Sequence, residues 1–537
     1  MSVPPSLTTE DYVGIDVGTT YCSIGYYDLT SNEARLIVFN SSTTYLYSSV
    51  TFTSEKKVVI GNSENFVNNF CYIKRIIGLP YERIRYPEFF PFQINSKGTD
   101  EPTISLSKGA EELSPTEVTA MIIRNLKTEC EQTIKRQVTR CVVTVPAHFE
   151  MTQVDATILA AKMAGFETVY SEKEPSAAAF AFIKEKQIRK GNVLVFDFGG
   201  GTLDVTLLRG IIGEFRVDST VGDMDIGGID IDDILSDIIL KKIYKEDRQM
   251  FNTIKSHWES MKYKLRKISE KAKVELSRNS EVEISLTAIG MNRSVLVTKI
   301  EFENNMESIV KKCKSIVVEC ISKSNSKIDE KDIDSVVLVG GSSQIRVIEE
   351  MIEKIFKGKV VKSVNRRDVV AIGAVYVAHE LFGKITRIND NKTIERTLKI
   401  EKGSLSIMNR TPYDIQTMIY NPKSKSNELL IVLPKNTLFG EKHYLTGKTH
   451  IKGMNTITVT MYENKRNIGT FVFDKLPKTE DIEFTNIFFV DRNGVLSVET
   501  KVTKPQQVEL SMKSKFTTSA QNLRLTEERK KIEALVD

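Results

Sequence analysis

Two stretches hold the residues best suited to chemistry. "VLVFDFGGGTLDVTLL" (193–208) ends an apolar run at Asp197 and passes through Gly199, Gly200 and Gly201 to Thr202. It reaches Asp204 before a second apolar run. "YVGIDVGTTYCSIGYY" (12–27) repeats the plan with Asp16, Gly18, Thr19 and Thr20. A glycine turn after a strand exposes backbone N–H groups and lets an anion approach the main chain closely. Two such turns facing each other would grip a polyphosphate from both sides. Asp16 and Asp197 would then lie where Mg²⁺, through its waters, neutralises phosphate charge. One copy alone reads as a plain glycine-rich hairpin; two matched copies read as a duplicated unit.

Other nucleotide signatures fail. "TGKT" (446–449) has Lys442 where a P-loop needs its first glycine, and "FGGGTLD" does not match GxGxxG. A third element, "SVVLVGGSSQIRVIEEM" (335–351), turns from strand to helix through Gly340 and Gly341 and could pack a nucleoside near a helix N-terminus.

The elements that position these residues can be read from periodicity. The first ~385 residues alternate strand-like and helix-like runs, an α/β pattern. "TRCVVTV" (139–145) is a buried strand stopping at Pro146, and the helix before it starts with Ser114 as N-cap, Pro115 at N1 and Glu117 closing a capping box. Further helices are expected at 230–245, 254–277, 302–323, 345–356 and 369–382. From residue 403 the period falls to two, as in Ile457, Val459 and Met461, with a hairpin turn at "DRNG" (491–494). The expected plan is a domain over 1–385, a charged linker at 386–402, an all-β sandwich at 403–515 and a short helical tail at 516–537, with Thr526 as its N-cap.

A chain of 537 residues is too long for one core, and 75 basic against 70 acidic residues give a net charge of only +5. That balance argues against nucleic acid as partner. The basic run Lys262, Lys264, Arg266, Lys267, Lys271 and Lys273 is interleaved with Glu270 and Glu275 and reads as a solvated helix face. Six scattered cysteines suggest buried thiols in a reducing compartment, and the five histidines lack metal-ligand spacing. No signal peptide or apolar run of membrane length is evident, so a cytoplasmic location without membrane contact is expected.

"GIDVGTTY", "YIKRIIG", "VVTVPAHF", "EPSAAA", "VFDFGGGTLDVT", "IGGIDID", "EKAKVELS" and "VLVGGSSQI" occur in the order and spacing of the 70-kilodalton heat-shock chaperones. The chain resembles that family strongly over residues ~10 to ~382 and more loosely through "MYENK", "GTFVF" and "VDRNGVLSV". The resemblance implies a two-lobed, actin-like ATPase domain followed by a peptide-binding β-sandwich, with the helical lid cut short. It assigns the hydrated Mg²⁺ to Asp16 and Asp197 with help from Glu174. It assigns one phosphate loop to Gly18, Thr19, Thr20 and Tyr21, and the other to Gly199, Gly200, Gly201 and Thr202. Lys74 would place the attacking water, Asp204 would assist and Pro146 would act as a switch. Glu270, Lys273, Ser277, Gly340, Gly341 and Ser342 would contact adenosine. ATP and ADP are the implied nucleotides; extended or unfolded polypeptides, a J-domain co-chaperone and a nucleotide-exchange factor are the implied partners.

Departures from the family touch coupling. Val154 stands where an arginine senses the docked linker. Arg366 and Arg367 replace a proline–acid pair on the surface expected to meet the other domain. The linker "TIERTLKIEK" is less apolar, and Gln344 replaces an arginine that packs on adenine. The expected function is an ATP-dependent chaperone with weakened interdomain coupling. Ile407 is a candidate peptide-pocket residue. The alternatives are a lidless co-chaperone or scaffold, for example on ribosomes, and a sugar kinase of the same superfamily, which the β domain and "EKAKVELS" disfavour.

Overall fold

In the computed structural model, strand β1 (Tyr12–Val17) turns at once into the antiparallel β2 (Tyr21–Asp28), which pairs with β3 (Glu33–Leu36). The structure describes residues 11–536 except 41, 54–56, 62–68, 97–100, 107–111, 363, 384–404, 422–424, 450–455, 474–481, 492–493, 505–507 and 514–518. Helix α1 (Pro115–Ile134) begins with the expected capping box, Ser114 and Glu117 each accepting the other's backbone N–H. It leads into β4 (Arg140–Val145), parallel to β1 and almost wholly apolar because both its faces are covered. Helix α2 (Met151–Met163), β5 (Thr168–Lys173) and α3 (Glu174–Glu185) complete this half, with the main strand order β5-β4-β1-β2-β3.

The second half repeats the arrangement. β6 (Gly191–Phe198), β7 (Leu203–Ile211) and β8 (Glu214–Asp223) form an antiparallel meander. Helices α4 (Gly228–Glu246) and α5 (Trp258–Leu276) pack on it, and β9 (Ser335–Val339) lies parallel to β6 as β4 does to β1. The expected 254–277 helix is thus two, because the chain breaks at His257 into Arg248–Ser256 and α5. Helix α6 (Val369–Phe382) then joins the halves, packing with α3 and strands of both sheets in one apolar cluster. Its Gly373 is required by close approach: a Cβ there would fall 1.9 Å from the Ala177 carbonyl oxygen.

The linker expected at 386–402 lies outside the described residues. The next strand departs from expectation. β10 (Ser406–Met408) pairs in parallel with β8, Ile407 opposite Phe215, as the fifth strand of the second sheet. Ile407 packs against the cluster around α3 and α6, so it lines no pocket in the β-rich part. The free edge of β8 decides this, since an apolar strand gains more by completing a ladder than by remaining unpaired.

Beyond β10 the chain forms two four-stranded antiparallel sheets. One has the order β12-β11-β14-β15, from β11 (Ile415–Asn421), β12 (Ser426–Leu433), β14 (Ile457–Glu463) and β15 (Arg466–Phe473). The other has the order β13-β16-β17-β18, from β13 (His443–Thr449), β16 (Ile482–Val490), β17 (Leu496–Lys504) and β18 (Val508–Lys513). Their inner faces share one core, and Met151 of α2 belongs to it. Around Met151, Glu463 Oε2 accepts from the Met151 N–H at 2.8 Å, Asn464 donates to Glu150, and Tyr413 donates to the His148 carbonyl at 3.1 Å.

The tail helix α7 (Ser519–Val536) starts well before Thr526, which lies inside it. It rests on α1: Lys531 pairs with Glu117, Glu533 with Arg124, and Ile532 is fully buried among lobe residues. Ile532→Ala is expected to weaken tail docking by about 2–4 kcal/mol. Hydrogen exchange along α1 and α7 would register that loss.

Candidate active site

The two glycine turns meet across a cleft between the halves. A Cβ built on Gly200 would lie 2.0 Å from Thr20 Oγ1, and one on Gly201 would lie 2.5 Å from Thr19 Oγ1. Gly200 and Gly201 therefore do more than permit a turn: they let the second loop close onto the threonine side chains of the first. Arg75 ties the halves together here, donating to the Gly201 carbonyl at 3.0 Å and to Asp230 at 2.6 Å. It sits in a short 3₁₀ turn, Ile73–Arg75, entered through Tyr72 at φ +61, a left-handed geometry uncommon for a bulky residue.

Lys74, in the same turn, reaches the deep end of the cleft and pairs with Glu174 at the start of α3. Asp16 and Asp197, at the ends of β1 and β6, face the same space; Asp16 accepts from Thr144 at 2.7 Å. Burial raises the pKa of Asp16, with Lys74 opposing. Burial, then Glu174, Asp204 and Asp16, raise Asp197 far above the usual carboxylate range. Glu174 is pushed up to about 7 by burial, against the pull of Lys74. Burial disfavours the Lys74 charge, yet Glu174 and Asp16 hold its pKa above the ordinary lysine value. Three carboxyl groups thus crowd one ammonium group, an arrangement that suits a bound cation.

At the shallow end, the Tyr21 hydroxyl donates to Glu270 at 2.7 Å, and Glu270 also pairs with Lys267. Lys273 bridges Asp232 at 2.7 Å and the Gly228 carbonyl at 2.8 Å. Ser342 donates to the Gly199 carbonyl at 2.8 Å, fastening the third turn to the second loop. Gly340, at φ +79, allows that turn, and a Cβ there would strike the Phe198 carbonyl.

Of the residues singled out from sequence, Asp16, Gly18, Thr19, Thr20, Tyr21, Lys74, Glu174, Asp197, Gly199, Gly200, Thr202, Glu270, Lys273, Gly340, Gly341 and Ser342 line one cleft. Four others lie outside the lining, among them Pro146, whose carbonyl accepts from Lys173 at 3.3 Å. Gly201 turns its carbonyl to Arg75. Asp204 sits behind the loop, opposite Asp197 in the β6–β7 ladder, with its Oδ1 2.6 Å from His148 Nδ1. Ser277 caps the end of α5, exposed, its hydroxyl turned back onto the Val274 carbonyl at 2.6 Å. Helical spacing from Glu270 put it on the right face but one turn too far along.

Asp232, Gly228, Val274, Val339, Arg366, Arg367 and Val370 also line the cleft and were missed. "IGGIDID" contained the signal for two of them. Arg367 corrects an expectation: instead of a surface meeting another domain, its guanidinium covers the Tyr45 and Tyr21 rings, 4.3 and 5.3 Å from their centroids. Val154 likewise turns inward, buried beside Ile77, Val145 and Phe149, and Gln344 is exposed outside the cleft lining.

Among the described residues, no three acidic, histidine or cysteine side chains converge as direct metal ligands, and no helix is long and apolar enough to cross a membrane. The six cysteines are buried and unpaired.

The Hsp70 protein family model matches residues 12–534. "Chaperone protein dnaK" of Thalassiosira pseudonana is 30% identical over 543 residues, covering 96% of this chain and 85% of the relative. "Heat shock cognate 70 kDa protein 3" of Dictyostelium discoideum is 29% identical over 522 residues, covering 92% and 78%. With an α/β body of two like halves, a β-sandwich beyond it and a match that runs almost from end to end, the chain belongs to the Hsp70 family.

Proposed function

We propose that this chain is an ATP-dependent chaperone that hydrolyses ATP in the cleft and binds extended apolar polypeptide segments in its β-sandwich. Residues 1–385 would form the nucleotide-binding unit, 403–515 the peptide-binding unit, 386–402 the connection and 516–537 the tail. The observation that carries this reading is the meeting of two glycine–threonine loops over Lys74, Glu174, Asp16 and Asp197. Family membership supports the chaperone class, with a J-domain protein and a nucleotide-exchange factor as partners and the cytoplasm as location.

Phosphoryl transfer depends on position and charge more than on covalent help. The loop N–H groups and the hydroxyls of Thr19, Thr20 and Thr202 would hold the phosphate chain, and Lys74 would orient water and offset charge building on the terminal phosphate. Glu174 fixes Lys74 by pairing with it. The crowded carboxylates, with a buried Thr20 Oγ1 that lacks a partner, suit a hydrated divalent cation. Asp16 and Asp197 would hold Mg²⁺, which when bound neutralises phosphate charge.

Weakened coupling to peptide rests on the segment 386–402 and on Val154, which is buried on α2 three residues from Met151, where the sandwich docks; Arg367 lies in the cleft instead. The burial of Met151 in the sandwich core and the pairing of β10 favour a second reading, a docked scaffold or co-chaperone without a full cycle. Single-turnover ATP hydrolysis with and without an extended apolar peptide separates them. Acceleration by peptide is expected for the chaperone; ATP bound but not hydrolysed would favour the scaffold.

A further inference from the structure

The cleft is lined by four cationic side chains, and three are neutralised in place. Lys74 pairs with Glu174, Lys273 with Asp232, and Arg366 with Glu349 at 2.8 Å while also donating to the Ser343 carbonyl. Arg367 differs: among the described residues its guanidinium has no carboxylate and no hydrogen-bond acceptor. Its backbone N–H bonds Asn365, and the neighbouring Asp368 is taken up by Thr44 and Asn365.

What holds the side chain is ring contact. The guanidinium covers Tyr45 and Tyr21, and Tyr21 is itself anchored through its hydroxyl to Glu270. Stacking by its face leaves the in-plane N–H donors of an arginine available at the edge. The position is equally defined. Arg367 lies between Tyr21, which ends the first phosphate loop, and Gly341, whose Cβ position is 3.8 Å from an Arg367 terminal nitrogen. It thus sits beside the Tyr21–Glu270 pair and the Gly340–Gly341 turn, which the nucleotide reading assigns to the nucleoside.

We propose that Arg367 is a ligand for the nucleoside-proximal phosphates of a bound nucleotide, an oriented cation fixed by two tyrosines. The inference rests on the nucleotide reading of the cleft and adds to it the source of diphosphate affinity. The contact is made equally to di- and triphosphate, so it holds the hydrolysis product as firmly as the substrate. It also supplies positive charge that does not depend on Mg²⁺.

Binding of adenosine and ADP to the full chain and to Arg367→Ala, by calorimetry with Mg²⁺ and with EDTA, tests this. One charge-assisted contact predicts an ADP affinity lower by about tenfold or more in the variant. Adenosine affinity should stay within about twofold, and the deficit should be at least as large in EDTA. Arg367→Lys should restore part of it, since the charge remains while the planar fork is lost. Unchanged ADP affinity, or an equal loss for adenosine, would overturn the proposal. An unmodified chain that binds no nucleotide would instead overturn the reading of the cleft. The side chain is partly exposed, and an unchanged melting temperature would show that the variant folds.

Discussion

Lys74→Ala is expected to lower single-turnover ATP hydrolysis by about 100- to 1,000-fold, the usual cost of removing one preorganised charge from a phosphoryl-transfer site. Nucleotide affinity should change far less, because the loops and the shallow end of the cleft are untouched. The physical basis is the isolation of this ammonium group: it is buried, and Glu174, Asp16 and Asp197 crowd around it. Without it, Glu174, already pushed up to about 7, should take up a proton at neutral pH. Rapid-quench hydrolysis beside equilibrium binding makes the check. A variant that hydrolysed ATP normally would remove Lys74 from the chemistry.

The second large effect concerns pH and the contact between α2 and the sandwich. Glu463 accepts the Met151 N–H through one oxygen, while the other is buried without a partner. Burial pushes its pKa up to about 8, and Glu150 and Asp155 add to this while Lys173 opposes. Asp155 is pushed up to about 7 by burial. Arg83 and Tyr413 also face this cluster, and Lys162 opposes the rise of Asp155. A raised carboxyl pKa means that the docked state holds a proton that the undocked state has released between about 4.5 and 8. Docking is therefore strongest at the acid end of that window and is lost as pH rises towards 8. Lys173, lowered by burial to about 8, has the opposite sign above that pH: its undocked form then holds the extra proton, so docking recovers. Exchange protection of the Met151 and Ile407 amides, corrected for intrinsic rates, should fall from pH 5.5 to 8. In Glu463→Gln, which keeps the acceptor without the charge, that fall should flatten. Protection that rose with pH in the parent chain would contradict this account.

What could be read from sequence was whatever is encoded locally. Asp16, Gly18, Asp197 and Gly199 stand in a repeated pattern, and the Ser114–Glu117 capping box needs only four residues. Three placements depended on distant partners. Ile407 sits in a three-residue strand whose choice of neighbour is settled by the free edge of β8, nearly two hundred residues earlier. Arg367 is drawn into the cleft by two tyrosines contributed by the first sheet's surroundings. Ser277 shares a helical face with Glu270, but periodicity cannot say where along a helix a cleft stops. Tertiary contact, not propensity, decided each of these.

The strand at Ser406–Met408 also guards an edge. Beside it, the turn between β7 and β8 leaves Ile211 and Ile212 open to solvent, the latter 85% exposed. Were β10 to leave this sheet, Glu214, Phe215 and Arg216 would lose their ladder partners next to that apolar tip. An unpaired edge flanked by isoleucines is a template for another chain's strand. Retaining its own strand there protects this protein from self-association, so a population held undocked should be the one that aggregates.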